Sequence, residues 1–122
     1  MSQVQEPEYV CPVDVPLRHL GGKWKLMICF YLLQRPCRNG ELTRLIPQVR
    51  QKMLTQQLRE LEASGLVERE VFDQVPPKVV YSIVEKERAG LESIVNALCQ
   101  WGLDRVSRHG GRILTTALPP DF

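Results

Sequence analysis

The sequence lacks the features that mark membrane or secreted proteins. Its longest apolar run, LMICFYLL, extends only from Leu26 to Leu33, whereas a membrane-spanning helix needs roughly 20 residues. The N-terminal stretch MSQVQEPEYV has no charged segment followed by an apolar one, so no secretory signal is expected. We therefore predict a soluble, cytoplasmic chain with no membrane partner.

Signatures of metal centres, cofactor sites and catalytic sites are also absent. The four cysteines are scattered without a CxxC pair, and the two histidines have no ligand or catalytic spacing. The sequence contains no GxGxxG, P-loop or GxSxG motif. A cysteine nucleophile would need a nearby base and an oxyanion site, and the sequence indicates neither. We expect no metal, no cofactor and no enzymatic activity.

What the sequence does contain fits one small globular domain with an uneven charge distribution. Its 122 residues, 43% of them hydrophobic, suit a single core. Residues 35–59 carry six basic side chains and one acid, a net charge of +5, while the rest of the chain carries −3. This asymmetry favours a negatively charged partner, above all nucleic acid. A solvated basic surface would give the same charges and is the alternative.

Hydrophobic periodicity and turn residues predict the first half of the fold. Residues 24–33 follow the Gly21-Gly22 pair and are apolar nearly all round, which favours a buried helix, with a strand as the alternative. Residues 38–46 and 50–64 are amphipathic and are separated by a turn containing Pro47. Two short helices joined by such a turn predict a helix-turn-helix.

The second half predicts a hairpin and a long helix. LVEREVFD and VVYSIV are rich in β-branched and aromatic residues and flank QVPPK, which predicts a hairpin with a proline-stiffened tip. Apolar residues then recur at three- and four-residue spacing over residues 85–108, as in a long amphipathic helix. The fold class predicted is α+β, mainly α: a winged helix-turn-helix.

The helix at residues 50–64 has an unusual polar face. At 100° per residue, one arc holds only polar or basic side chains, namely Gln51, Lys52, Thr55, Gln56 and Arg59. The opposite arc is predicted to face the core and contains Met53, Leu54, Leu58 and Leu61. Glu60 and Glu62 lie beyond the polar arc, and Gln57 falls among the apolar residues without an explanation.

An acid-free face of this kind suits a helix in the DNA major groove. Gln and Arg can pair with base edges there, and Lys and Thr with phosphates. A surface helix of chance composition is the alternative. The predicted DNA-binding residues are Arg38, Arg50, Gln51, Lys52, Thr55, Gln56, Arg59, Pro76, Pro77 and Lys78.

Five segments in fixed order resemble the HxlR family of bacterial winged-helix regulators, relatives of the MarR group. They are GGKWKLMICFYLL, NGELTRLIPQV, QKMLTQQLRELEASGLVERE, VPPKVVYSI and the Trp101-Gly102 pair, and the resemblance covers residues 11–102. It implies a dimeric transcriptional regulator with N- and C-terminal dimerisation helices, bound to a two-fold double-stranded DNA operator. A winged-helix protein-interaction module without DNA binding is the alternative.

The chain departs from the family pattern at two positions of the helix-turn-helix. Asn39 stands where the family usually has Phe, and Arg50 stands where a Ser or Thr would cap the recognition helix. Losing that cap costs on the order of 1 kcal/mol. Arg50 is expected to contribute a phosphate contact instead.

The C-terminal helix carries more apolar surface than one small domain is expected to cover. Together with the two-fold operator, this predicts a homodimer whose interface contains Leu91, Ile94, Val95, Leu98 and Trp101. We expect Trp24 and Trp101 to be core or dimer-interface aromatics and not ligand-stacking groups.

The resemblance also implies a sensing cysteine near the N-terminus, which Cys11 matches. Cys11 precedes Pro12 in a segment expected to be extended, and Arg18 is expected to favour its thiolate, so we take it as a candidate redox sensor. An inert small hydrophobe is the alternative. Cys29 and Cys99 are predicted to pack as small hydrophobes, and Cys37 is predicted to be exposed in a turn.

These elements divide the chain into three parts. Residues 1–10 are predicted to form a flexible segment, residues 11–108 the winged helix-turn-helix domain with its dimerisation helices, and residues 109–122 an irregular tail. The partners expected are the operator, a second copy of the chain, and an oxidant or small-molecule effector whose identity the sequence does not specify.

Overall fold

The computed structural model describes residues 6–117. Within that range the chain forms five α-helices and one two-stranded antiparallel sheet. The elements in chain order are α1 (Asp14–Leu20), α2 (Lys25–Leu32), α3 (Asn39–Leu45), α4 (Gln51–Ala63), β1 (Val67–Phe72), β2 (Lys78–Ile83) and α5 (Glu85–His109). The fold is mainly helical and has the order of a winged helix-turn-helix, which confirms the predicted fold class.

Local sequence signals set the ends of α3 and α4. α3 ends before Pro47, which has no N–H to continue the helical hydrogen bonds. α4 begins after Arg50, whose side chain makes no capping hydrogen bond. It ends in a Schellman motif, in which Leu66 N–H donates to the Leu61 carbonyl at 3.1 Å and Gly65 N–H to the Glu62 carbonyl at 3.0 Å. Gly65 has a φ of +76°, a conformation that glycine adopts without a steric penalty.

The core lies where α2, α3 and α4 meet the hairpin and the first half of α5. Ile28, Leu42 and Leu58 are its fully buried centre, and α2 contacts α3, α4, α5 and β2. The predicted inward arc of α4 is confirmed for Leu54, Leu58 and Leu61. The prediction for Met53 is wrong, because its side chain is 43% exposed.

The hairpin pairs β1 and β2 from Val67 opposite Ile83 to Phe72 opposite Lys78. Only its base is buried, so the strands project from the core as a wing. A third segment joins the base, because Cys37 and Tyr81 exchange backbone hydrogen bonds of 3.0 and 2.8 Å. The prediction that Cys37 is exposed is therefore wrong: it is completely buried.

The five residues predicted for the dimer interface divide into two groups on α5. Leu91 and Val95 are buried in the core of the chain itself. These two side chains are therefore not part of the exposed surface on which a partner could dock. Ile94, Leu98 and Trp101 are exposed, at 37%, 51% and 62%.

The ends of the described range have no regular structure. Residues 6–10 precede α1 without helix or strand, and residues 110–117 follow α5 in the same way. The outermost parts of the predicted flexible segment and irregular tail, residues 1–5 and 118–122, lie outside the described residues. Within residues 6–117, no helix combines the length and apolar content required to cross a bilayer.

Candidate nucleic-acid interface

The polar arc of α4 lies on the surface of the domain. Gln51, Lys52, Gln56 and Arg59 are exposed, and Thr55 is half-buried. The arc is opposite Leu54, Leu58 and Leu61, which anchor α4 in the core. This arrangement follows from helix geometry, because a stripe of leucines at three- and four-residue spacing turns the remaining residues outward.

Gln51 joins the two helices of the helix-turn-helix at the start of this face. Its amide nitrogen donates to Asn39 Oδ1 at 2.6 Å and to Thr55 Oγ1 at 3.3 Å. Its amide oxygen lies 3.1 Å from Thr43 Oγ1, whose hydroxyl also donates to the Asn39 carbonyl at 3.0 Å. Gln51 therefore holds α4 against α3, a role that the sequence did not indicate. Asn39 is one of its partners.

A buried cation lies behind the other end of the face. Lys25 of α2 is only 8% exposed, and its ammonium group lies 3.2 Å from Glu60 Oε1. Glu60 Oε2 accepts hydrogen bonds from the amides of Gln56 at 3.1 Å and Gln57 at 3.4 Å. The hydrogen bond from Gln56 and, after it, the contact with Lys25 lower the pKa of Glu60. Glu60 thus borders the polar arc, but its charge is directed toward Lys25.

The same contacts explain the position of Gln57. Its half-buried amide reaches Glu60 and also lies 3.5 Å from Met53 Sδ. Gln57 is therefore held by the polar cluster around Lys25, although its helical angle places it among apolar residues. The sequence signal that was missed is Lys25 itself, a lone lysine in an apolar helix, which needs a carboxylate partner when buried.

Exposed cations flank α4 at its N-terminal side. Arg38 and Arg50 are both exposed at the starts of α3 and α4. The acid of this segment, Glu41, is already engaged: its carboxylate accepts the Arg38 backbone N–H at 3.0 Å and pairs with Arg35 at 2.6 Å. These two contacts, the backbone one first, lower the pKa of Glu41. The carboxylate caps α3, and Arg35 balances its charge beside the predicted interface.

The wing carries the remaining predicted residues. Pro76 and Pro77 are exposed at its tip, and Lys78 is half-buried where β2 begins. The Lys78 ammonium group lies 5.1 Å from the ring centroid of Phe72, its cross-strand partner, a cation–π distance. The Lys78 charge therefore has a defined position at the outer end of the hairpin.

A hydrogen-bonded chain links the N-terminal segment to the end of α4. His19 Nε2 lies 3.0 Å from the Tyr9 hydroxyl, and His19 Nδ1 lies 3.1 Å from Ser64 Oγ. Ser64 is the C-cap residue of α4. Cys11, between Tyr9 and α1, is exposed, and its carbonyl accepts the Asp14 N–H at 3.0 Å. These hydrogen bonds therefore connect the segment that contains Cys11 to the end of α4.

The four thiols have different environments. Cys29 is fully buried, and burial raises its pKa to about 12, which confirms its prediction as a packing residue. Burial also raises the pKa of Cys37 and of the half-buried Cys99. Arg18, expected to act on Cys11, pairs with Asp14 at 3.1 Å and lies 5.2 Å from the Tyr9 ring centroid.

Comparison with known proteins places this geometry in context. The sequence model of the HxlR-like helix-turn-helix family matches residues 19–110. The chain is 47% identical to YtcD, an uncharacterised HTH-type transcriptional regulator of Bacillus subtilis (strain 168), over 108 residues that cover 88% of this chain and 85% of YtcD.

Solved structures of transcriptional regulators superpose on this chain. The crystal structure of YtcD superposes with a TM-score of 0.76 at 47% identity, covering 81% of this chain and 100% of that one. The redox regulator HypR in its oxidised form gives 0.73 at 44% identity, covering 85% and 100%. The reduced form of the transcriptional regulator YodB from B. subtilis gives 0.68 at 33% identity, covering 84% and 99%.

Proposed function

The chain belongs to the HxlR-like helix-turn-helix family, whose members here are transcriptional regulators, and we propose that it binds a double-stranded DNA operator as a homodimer. In this proposal α4 lies in the major groove and the wing contacts the adjacent backbone. The observation that carries the proposal is the exposed, acid-free arc of α4. Four of its five polar side chains are exposed and Thr55 is half-buried, while Leu54, Leu58 and Leu61 anchor the helix in the core.

The side chains of the arc fall into two roles. Gln56 and Arg59 are exposed on α4 and suit base edges. The other cations suit phosphates, namely the exposed Arg38, Arg50 and Lys52 and the half-buried Lys78. Gln51 and Thr55 contact one another within the helix-turn-helix. We infer that Gln51 chiefly orients α4 and that Thr55 lies close to the sugar-phosphate backbone.

A binding titration with DNA from upstream of the chain's own coding sequence tests the base-reading role. Gln56→Ala and Arg59→Ala should each weaken the specific site by about 1–3 kcal/mol and leave non-specific binding nearly unchanged. Lys86→Ala is the control, because Lys86 is an exposed cation near the start of α5, outside the arc and not among the residues proposed for the dimer interface. Unchanged affinity in both arc variants would defeat the assignment.

The salt dependence of the same titration separates the two candidate functions. A DNA-binding regulator loses affinity steeply as salt rises, because each neutralised phosphate releases counterions. Lys52→Gln and Lys78→Gln should each reduce the slope by about one and weaken all sequences alike. A protein-interaction module would show no salt-dependent duplex binding at all.

We infer a homodimer from the exposed apolar stripe on α5 and from operator geometry. One recognition helix reads only a few base pairs, and two related by a two-fold axis bind half-sites about 34–36 Å apart. Ile94, Leu98 and Trp101 form the stripe. Leu98→Asp should shift sedimentation toward the 14.0 kDa monomer.

Ser107→Asp is the control for the dimer experiment, because nine residues of helix place Ser107 about 180° from Leu98. It should leave the oligomeric state unchanged. A wild-type chain that sediments only as a 14.0 kDa species at micromolar concentration would contradict the dimer.

We propose Cys11 as the redox-sensing thiol. It is exposed, and the Tyr9–His19–Ser64 chain gives its segment a route to the end of α4. Diamide oxidises two thiols to a disulfide and is itself reduced to the hydrazine, so it would join Cys11 to a second cysteine. The resulting shift of the N-terminal segment would alter the placement of the two recognition helices.

Operator binding before and after diamide tests the sensor. The wild type should lose affinity and recover it with dithiothreitol, whereas Cys11→Ser should bind equally well throughout. A wild type that is unaffected by diamide would remove Cys11 as the sensor. A response retained by Cys11→Ser would assign it to another cysteine.

A further inference from the structure

A groove on the helix-turn-helix is unused by the proposed DNA and dimer surfaces. One wall consists of Trp24, the N-cap residue of α2, and of Met27 and Tyr31, which follow it at three- and four-residue spacing. A second wall is residues 45–48, the end of α3 and the turn before α4, and residues 113–116 form the third. We call this space the tail groove.

The third wall exists because the chain reverses after α5. Gly110 and Gly111 have φ values of +86° and +141°, a region of backbone conformation that favours glycine. The residues that follow then run along α2. Ile113 and Leu114 contribute to the groove but remain 50% and 71% exposed. The tail therefore lines the space without filling it.

The size and lining of the groove match those of a small-molecule site. It encloses about 740 Å³, within the range of roughly 300–1,000 Å³ typical of ligand pockets. Two aromatic rings and several aliphatic side chains line it, and Met27 is exposed within it. An apolar ligand would remove this surface from water, which is favourable.

The charges at the edge of the groove select the kind of ligand. Lys23 and Arg44 both line it, and none of its lining residues is acidic. Within residues 6–117, neither cation forms an ion pair with a carboxylate. The Lys23 ammonium group lies 4.8 Å from the ring centroid of Trp24, so charge and aromatic surface meet at one end. An anion attached to a flat apolar body would satisfy both.

We propose that the tail groove binds a small apolar organic anion, with its ring system against Trp24 and Tyr31 and its carboxylate between Lys23 and Arg44. This gives Trp24 a ligand-stacking role that the sequence did not predict. Since one wall is the turn that leads into α4, such a ligand would act next to the recognition helix. That regulatory role rests on the proposed function, whereas binding to the groove does not.

Calorimetric titration of the full chain with 1-naphthoate, in the absence of DNA, tests the proposal. The neutral isostere 1-naphthamide separates the contribution of the charge from that of the apolar body. We expect saturable binding of one naphthoate per chain. Arg44→Gln and Lys23→Gln should each weaken naphthoate binding about three- to fivefold, the range for a solvent-exposed ion pair, and leave naphthamide unchanged.

Two further variants localise the site. Lys86→Gln removes an exposed lysine of α5 that lies outside the groove. It should change the affinity for neither naphthoate nor naphthamide. Met27→Glu places a carboxylate in the groove and should abolish naphthoate binding while preserving helical content by circular dichroism.

Three results would overturn the proposal. They are the absence of saturable naphthoate binding, equal effects of the charge variants on naphthoate and naphthamide, and conversion of a dimer to a monomer by Met27→Glu. The last result would assign the groove to a second copy of the chain. DNA binding that fails while naphthoate binding succeeds would refute the proposed function and leave the site intact.

Discussion

The four cysteines should react with alkylating reagents at very different rates, because the fold exposes them to different degrees. Cys11 is exposed near the N-terminus, whereas Cys29 and Cys37 are completely buried. Treatment of the native protein with iodoacetamide at pH 8 should therefore modify Cys11 first. Cys99, half-buried on α5, should follow more slowly.

The structure gives the expected decrease in the alkylation rate of Cys29. Burial raises its pKa from the ordinary 9.0 to about 12. Since only the thiolate reacts, a shift of about three units reduces the reactive fraction at pH 8 roughly a thousandfold. Access is a second barrier, because the reagent reaches Cys29 only when the core around α2 opens. Cys37 should be similarly protected, since β2 covers it and burial raises its pKa too.

A time course of peptide mass spectrometry measures all four rates in one sample. In concentrated urea the differences should collapse to within a few fold, because unfolding removes both the burial and the pKa shift. Modification of Cys37 at a rate close to that of Cys11 in the native protein would refute its placement beneath β2. Slow modification of Cys11 would remove the access on which its sensor role depends.

Four further substitutions test the architecture. Gly65→Ala should lower the free energy of unfolding by about 1–2 kcal/mol in a urea titration, because the left-handed conformation at φ +76° strains alanine even where its Cβ meets open space. Gly90→Ala, in the interior of α5, should instead raise the free energy of unfolding by about 0.5–1 kcal/mol. Gln51→Ala should lower it by about 0.5–1.5 kcal/mol and also weaken operator binding, since the hydrogen bonds between α3 and α4 are lost; stability and affinity that are both unchanged would show that Gln51 does not hold α4. Glu41→Gln should reduce the acid sensitivity of unfolding. Because folding lowers the pKa of Glu41, its carboxylate stabilises the fold above about pH 4.5, and this stabilisation is lost as the pH falls through the pKa of the folded state. Free energies of unfolding that change identically with pH in both proteins from about pH 2 to 7 would contradict this, because that interval spans the ordinary and the lowered pKa of a carboxyl group.

Much of the fold could be predicted because its signals are local. Leucine spacing defined α4, Pro47 ended α3 and Gly65 ended α4, and each acts within one or two turns of helix. The two β-branched stretches around QVPPK defined the wing in the same way. The acid-free arc of α4 is also local, because the 100° repeat fixes which side chains share a face once the helix is known.

Helical angle does not determine which neighbour covers a side chain, and the wrong predictions for Met53 and Cys37 share this cause. Met53 lies at an inward angle on α4, yet no element packs over it and it is exposed. Cys37 looked like a turn residue, but a strand more than 40 positions later pairs with it and buries it. Leu91 and Val95 share a helix with the exposed Leu98, and only the packing of α5 on the core separates them.

Polar contacts between distant segments could not be predicted from the sequence either. The pairing of Lys25 with Glu60, the joining of Gln51 to Asn39, and the tail groove all bring together residues far apart in the chain. Local propensity and periodicity by themselves determined the elements and the surface that α4 presents. The tertiary structure alone decided which residues are covered, paired or left free to bind, because burial and hydrogen bonding depend on neighbours that chain order does not specify.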